Sequence, residues 1–237
     1  MSATACDTYT WSANGTTYTA SGTYTNVTTN AAGCPNTATL VLTINPCETV
    51  VNVKLFIEGY YDLVTHAMRP VLANQGVGTS TTDVDNVTVE LHDATTHVLA
   101  ASTTAMLQTN GNATATFSTA PTGSFYIVIK HRNALETWSA TAQTVGATAL
   151  SYDFTDAATK AYGDNMKLVD GVYTFFSGDI NQDGFIEAFD FPPLFNDIDN
   201  FAEGFSTTDL NGDGFVEAFD YPILFNNSDN FIETLHP

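Results

Sequence analysis

Alternation of apolar and polar residues governs most of this chain, and a helical period enters only near its C-terminal end. Residues 1–48 carry short alternating runs around Tyr9 to Trp11, Thr16 to Thr19, Gly22 to Thr25 and Thr39 to Ile44. Asn14-Gly15, Ser21-Gly22 and Ala32-Gly33 separate them, and Asn-Gly between alternating runs predicts a hairpin. Residues 49–176 keep the two-residue period at 50–57, 87–91, 113–117 and 125–130, with later runs around Trp138 and Tyr152 to Phe154. Turn signals at Asn110-Gly111 and Pro121 to Gly123 break the runs, so this part predicts an antiparallel Ig-like β-sandwich. The stretch from Tyr60 to Thr82 fits no period and reads as a long loop, of a length that function or a partner usually orders.

Residues 177–237 follow another rule. Phe191, Leu194 and Phe195 fall at i, i+3, i+4, and Tyr221, Leu224 and Phe225 repeat the spacing. Pro192, Pro193 and Pro222 suit the first turn of a short helix, where a missing N–H costs nothing. A twelve-residue loop precedes each run, and 16 of 24 positions agree between residues 178–201 and 208–231. Oxygen-bearing side chains occupy loop positions one, three, five, nine and twelve: Asp179, Asn181, Asp183, Glu187 and Asp190, then Asp209, Asn211, Asp213, Glu217 and Asp220. Position seven, Phe185 and Phe215, offers a backbone carbonyl, so its side chain is free to be apolar. Gly184 and Gly214 stand at position six, where the chain turns sharply. That donor set suits a hard cation with six to eight oxygens, and two Ca²⁺ sites are expected. The β-branched residues at position eight, Ile186 and Val216, are expected to pair the two loops as a short strand.

An EF-hand has a helix on both sides of its loop, and neither 171–178 nor 201–208 has a helical period. Loop-then-helix, twice, resembles the type I dockerin, the calcium module that docks onto cohesins. The resemblance covers residues 178 to about 231 and implies the same calcium ligands. Asp rather than Glu at position twelve also matches. Positions ten and eleven depart from it. Ala188-Phe189 and Ala218-Phe219 stand where dockerins commonly carry small polar residues that read the cohesin, and they are expected to be core or to face a neighbouring domain. A pseudo-twofold pair is expected, each half burying the aromatics of the other.

Two further resemblances concern the β segments. Residues 5–44 resemble a Cys-Asp-x-Tyr-Thr-Trp … Gly-Thr-Tyr … Ala-Gly-Cys repeat of large secreted surface proteins of Bacteroidetes, which implies that the chain ends a longer array. Residues 85–131 resemble the Cna-B or transthyretin-like sandwich. Some Cna-B-like domains crosslink a Lys to an Asn or Asp with a Glu assisting, and Lys54, Glu90 and Asp153 stand in that order. The bland reading is three ordinary surface residues.

Charge changes the picture at the C-terminus. The formal net charge is −20, and all six Lys and Arg precede residue 168. From Asp170 onward there are fourteen Asp and Glu and no basic side chain, so the tail repels itself unless cations bind. Nucleic acid and anionic membranes are poor partners for it, and no run approaches the ~20 apolar residues of a membrane span. The 38 threonines, 14 of them in the first fifty residues, suit solvent-facing strands and a secreted, cell-surface β-protein. The N-terminus lacks a charged and hydrophobic signal segment, so secretion requires a removed leader or a longer parent. Of three cysteines, Cys6 and Cys34 are the expected disulfide, with Cys34–Cys47 and fully reduced thiols as the alternatives.

No nucleophile elbow, paired-His zinc helix, Walker loop or dinucleotide fingerprint occurs, so no enzyme is expected. His92 with His97, and Asp83 with Asp85, are weaker metal candidates. The leading expectation is a non-enzymatic, calcium-stabilised extracellular structural or adhesive protein, with assembly with copies of itself or with neighbouring array modules into a fibre or sheet as one of its two mechanisms and adhesion as the other. The alternative is a docking module for a cohesin, with a glycan-binding sandwich in which Trp11, Tyr60, Tyr61 and Trp138 stack on sugars. Three domains follow: 1–48, 49–176 and 177–237.

Overall fold

The computed structural model describes all residues except 46, 47, 119–121 and 147, and the protein is mainly β with a small helical region at its C-terminal end. It divides into two compact units, Met1–Glu48 with Ser118–Ala120, and Thr49–Phe117 with Pro121–Pro237. The segments expected as sandwich and as loop module therefore share one unit.

The first unit holds β1 (Ser2–Cys6), β2 (Tyr9–Trp11), β3 (Thr16–Tyr18), β4 (Gly22–Thr29) and β5 (Pro35–Asn45). The Asn14-Gly15 signal yields the β2–β3 hairpin, with Tyr9 opposite Tyr18 and Gly15 at φ 69°. A three-stranded sheet runs β1-β5-β4, with β1 parallel and β4 antiparallel to β5. Its core is small: Trp11, Leu40 and Leu42, flanked by Tyr9, Tyr18 and Tyr24.

That topology overturns the expected Cys6–Cys34 disulfide. Cys6 lies opposite Asn45, at the end of β5, whereas Cys34 precedes its first residue, Pro35. The length of β5 separates them by roughly 30 Å at ~3.3 Å per residue. A disulfide needs Cα atoms within about 7 Å, and both thiols are free and exposed. Cys47, the alternative partner, lies outside the described residues.

The second unit begins with β6 (Thr49–Lys54), β7 (Tyr61–Asp62), β8 (Ala67–Met68), the one-turn α1 (Val71–Asn74), β9 (Asp83–Asp93) and β10 (Leu99–Gln108). It continues with β11 (Asn112–Phe117), β12 (Gly123–His131), β13 (Ala134–Trp138), β14 (Gln143–Val145), β15 (Leu150–Asp153), β16 (Lys167–Val169) and β17 (Val172–Thr174). One sheet runs β10-β9-β12-β13, with β14 also on β12, and the other runs β11-β6-β15. All these pairings are antiparallel except β15 on β6. Val51, Val53, Val87, Val89, Leu91, Ile127 and Ile129 point inward at alternate positions and are buried, which the two-residue period requires. The Tyr60 to Thr82 stretch is ordered: it contains β7, β8 and α1, and it packs on the loop module.

After the sandwich come α2 (Phe191–Asp199) and α3 (Tyr221–Ser228), each with Pro in its first turn as the sequence predicts. A core of Ile180, Ile186, Leu194, Leu210, Val216 and Leu224, with Leu135 of β13, joins the two halves. It is aliphatic. The aromatics flank it: Phe191 and Tyr221 are half-buried and pack on it, Phe195 and Phe225 are exposed, and neighbouring rings of the four lie 5.5–5.9 Å apart, with Phe191 tilted against Tyr221 across the two halves.

Candidate metal centre

Each loop is a chain of Asx turns closed by the carboxylate at its last position. In the first, the two Asp179 oxygens accept the Asp183 and Gly184 N–H groups, each at 3.2 Å. Asn181 Oδ1 accepts from Asp183 N at 2.9 Å, and Asp183 Oδ1 accepts from Phe185 N at 3.0 Å. Asp190 reaches back across the loop. Its Oδ1 accepts the Ile180 and Asn181 N–H groups at 2.7 and 3.1 Å, and its Oδ2 accepts Glu187 N–H at 2.9 Å. The second loop repeats this with Asn211, Asp213 and Asp220. Asp190 and Asp220 precede α2 and α3 at the N-cap position, yet neither carboxylate caps its helix. Both are turned into the loops. Gly184 and Gly214 have φ of 86° and 93°, the left-handed turn that position six requires.

The donors fit a hard divalent cation. Asp179, Asp190, Asp209 and Asp220 are buried. Burial, reinforced by the neighbouring Asp190 and Asp183, pushes Asp179 up to about 7. Burial and the charge of Asp209 push Asp220 up to about 7, and burial also raises Asp190 and Asp209. Among the described residues none of the four forms an ion pair with Lys, Arg or His. Desolvated carboxylates crowded together are stabilised by a cation. Among the described residues no three His, Cys, Asp or Glu side chains converge to hold a metal unaided. A cation held here would draw also on the Asn181 and Asn211 amides and on backbone carbonyls, which calcium accepts and softer metals do not favour.

The two loops do not pair with each other, contrary to the reading of position eight. Ile186 N–H donates to Ile232 O at 2.8 Å, beyond α3, and Val216 N–H donates to Ala202 O at 2.9 Å, beyond α2. Each loop is thus strapped by the segment that follows the other half's helix, and this crossing makes the pseudo-twofold.

The surroundings of the two loops differ. Asn181 and Asp183 are exposed, whereas Asn211 is buried and Asp213 is half-buried. The sandwich covers the second loop through residues that carry no motif. Gln75 Nε2 donates to Asp209 Oδ2 at 2.7 Å, Asn74 Nδ2 to Gly212 O at 2.8 Å, Arg69 Nη1 to Asn211 O at 3.1 Å, and Asn133 Nδ2 to Asp209 O at 3.2 Å. Behind them, Arg132 donates to Gln75 Oε1 at 2.8 Å and to Asp85 Oδ2 at 2.6 Å, and it also bonds Ser206 O. Elsewhere on the interface, Lys167 bonds Glu58 and Asn227 at 2.5 and 2.9 Å.

Ala188-Phe189 and Ala218-Phe219 are surface, not core: Phe189 is 70% and Phe219 72% exposed. Phe195 and Phe225, one helical turn or more further on, are nearly half exposed. Phe195 and Phe225 belong to the row of stacked rings formed with Phe191 and Tyr221.

The weaker candidates resolve otherwise. His92 bonds Glu90 at 2.9 Å and the backbone O of His97, so the two imidazoles share no metal. Asp83 accepts from Gln108, and Asp85 pairs with Arg132 and His131. Lys54 and Asp153 are 3.5 Å apart on neighbouring strands, but Glu90 pairs with Lys130 on the other sheet, so the assisting carboxylate is not beside them. Trp11, Tyr60, Tyr61 and Trp138 are all buried and offer no face for stacking on sugars.

Two solved structures are similar in outline. Both are mutants of a type II cohesin–X-dockerin complex from Acetivibrio cellulolyticus. The C-terminal interface mutant has 17% identity and a TM-score of 0.43, covering 76% of this chain and 95% of that one. The N-terminal interface mutant has 17% identity and a TM-score of 0.45, covering 78% and 97%. Comparison with curated proteins gives no match. Residues 177–227 match the dockerin type I domain family.

Proposed function

We propose that residues 177–237 are a calcium-ordered docking module, through which this chain attaches to a cohesin-class partner outside the cell. Dockerin type I domains generally bind calcium. In this reading the first ion is held by Asp179, Asn181, Asp183, the Phe185 carbonyl, Glu187 and Asp190. The second is held by Asp209, Asn211, Asp213, the Phe215 carbonyl, Glu217 and Asp220. Calcium would supply the positive charge that lets buried carboxylates ionise, and the chain's own part is to hold the oxygens in place.

The observation that carries the reading is the exposure of Phe189 and Phe219, immediately before the helices, with Phe195 and Phe225 beyond them. Large aromatics left in water beside an ordered aliphatic core mark an interaction surface. The adhesive and self-assembling alternative has less behind it. The exposed face lies on an anionic module that repels its own copy; the glycan-stacking part of the docking reading also loses support, because those aromatics are buried.

Titration calorimetry of the whole chain against a panel of type I and type II cohesins, with calcium and with EGTA, tests the proposal. The expected result is calcium-dependent binding to at least one cohesin, weakened at least tenfold by the Phe189→Ala, Phe219→Ala double variant. Calcium-independent binding, or none across the panel, sinks it.

A further inference from the structure

The second loop is built by two parts of the chain more than 130 residues apart, and the first loop is not. We propose that the sandwich completes the second metal site. Gln75, with Asn74, Arg69 and Asn133, positions the loop, so that site fills first and more tightly while the first loop binds as an autonomous and weaker site. The proposal rests on the calcium reading above.

Hydrogen bonding supports it. Asp209 Oδ2 accepts from both Gly214 N–H and Gln75 Nε2, at 2.9 and 2.7 Å, and its Oδ1 accepts from Gly212 N–H at 2.8 Å. Asp179 receives two longer bonds of 3.2 Å and none from the sandwich. The carbonyls of Asp209, Asn211 and Gly212 are each fixed by a sandwich side chain. A loop already held in place loses less conformational freedom when an ion arrives, and affinity gains by that amount.

Packing gives an independent line. A Cβ on Gly214 would stand 2.4 Å from Asn74 O, and one on Gly212 would stand 2.6 Å from Val71 and 2.9 Å from Tyr60. At Gly184 the nearest atom is Thr234 Oγ1 at 3.4 Å. The second loop is therefore clamped sterically as well. Nearby cations do not reverse the order. Arg69 lies 3.8 Å from Asp62, and Lys130, which lines the cleft beside Asp179 and Asp183, is pinned between Glu90 and Glu136 at 3.3 and 3.1 Å.

The test is calcium titration of the whole chain, stripped with EGTA, followed by calorimetry and by terbium luminescence. The wild type should show two steps, with Asp213→Asn removing the tighter and Asp183→Asn the weaker. Gln75→Leu should weaken the tighter step about 10- to 100-fold, the usual cost of removing a group that orients a ligand, and leave the weaker step unchanged. Asn74→Ala, on an exposed side chain, should shift the same step in the same direction. It keeps the question open to measurement if Gln75→Leu does not fold. Two equal steps, or variants that move both steps alike or neither, overturn the proposal. A wild type that takes up no calcium overturns the calcium reading and this proposal with it.

Discussion

The two loops share their oxygen-bearing residues, their glycine register and most of their internal hydrogen bonds, yet Asn181 and Asp183 of one are exposed while the other is packed against the sandwich. Position four shows the difference most plainly. Its backbone is left-handed in both loops, with φ of 60° at Gln182 and 70° at Gly212. A glutamine is tolerated in the first loop because its side chain has room in solvent. In the second, Val71 and Tyr60 occupy the place of a side chain, so only glycine fits. A repeated motif thus dictates local geometry, while the neighbour that covers it decides how firmly that geometry is held.

Removing calcium should have the largest effect and should erase the comparison. At a hundredfold excess over Kd each ion contributes about 2.7 kcal/mol. Losing two should lower the Tm of the second unit by roughly 10–20 °C in EDTA, read by scanning calorimetry. A melt that EDTA leaves in place contradicts the site. Glycine substitution comes next and should split the loops apart. Gly184→Ala and Gly214→Ala both force a left-handed alanine, at about 1–2 kcal/mol. Only Gly214→Ala drives a Cβ into a backbone oxygen, and it should cost roughly 1–3 kcal/mol more. Equal costs in chemical denaturation would show that the sandwich does not clamp the second loop.

Much of this was legible in the residues. The doubled loop, the proline-started helices, the mainly β architecture and the Asn14-Gly15 hairpin are all local: a turn residue or a period sets each of them within a dozen positions. What depends on distant packing was not. Nothing near Gln75 marks it as a partner of Asp209, since the contact spans 134 positions. One trace of it is the change from Gln182 to Gly212 at position four of the two loops. For Phe189 and Phe219 the core half of the expectation fails for a related reason, although Phe219 does face a cleft lined by the sandwich. Hydrophobicity says only that a phenylalanine prefers burial, and here Leu194, Leu224 and their aliphatic neighbours already fill the core. The expected disulfide failed on topology, because sequence spacing could not reveal that β5 would separate the two thiols.

Acid should act on the clamped side, with a smaller effect. Burial pushes Asp85 up, but the hydrogen bond and charge of His131 and the charge of Arg132 outweigh it and hold the carboxyl at about 2. Burial pushes His131 down, against the Asp85 contacts that raise it. Both folded-state values lie below the ordinary ones, so the unfolded chain takes up protons first as the pH falls. The His131 share of stability is lost below its ordinary value of 6.5, and the Asp85 share between 3.8 and about 2. In EGTA, the wild type should therefore exceed Asp85→Asn in stability above pH 4, and the gap should close toward pH 2. A gap that stays constant across that range would remove the Arg132–Asp85 pair from the support of Gln75.

The smallest effect on stability should come from the face with the largest proposed role in binding. Phe189 and Phe219 are exposed in the free chain, so Phe→Ala at either position removes little buried area and should change stability by less than about 0.5 kcal/mol. Phe189 lies beside the open first loop. Phe219 lies beside a cleft that the sandwich lines with Tyr61, Leu63 and Arg69. If the two halves of the face are equivalent to a partner, each single variant should weaken cohesin binding alike. If the sandwich contributes, Phe219→Ala should cost more, and a Leu63→Ala variant, 61% exposed and outside the dockerin-like segment, should weaken binding too. A loss of stability above ~1 kcal/mol in either phenylalanine variant would mean that the side chain is holding the fold together, and the docking face would have to be sought elsewhere on the module.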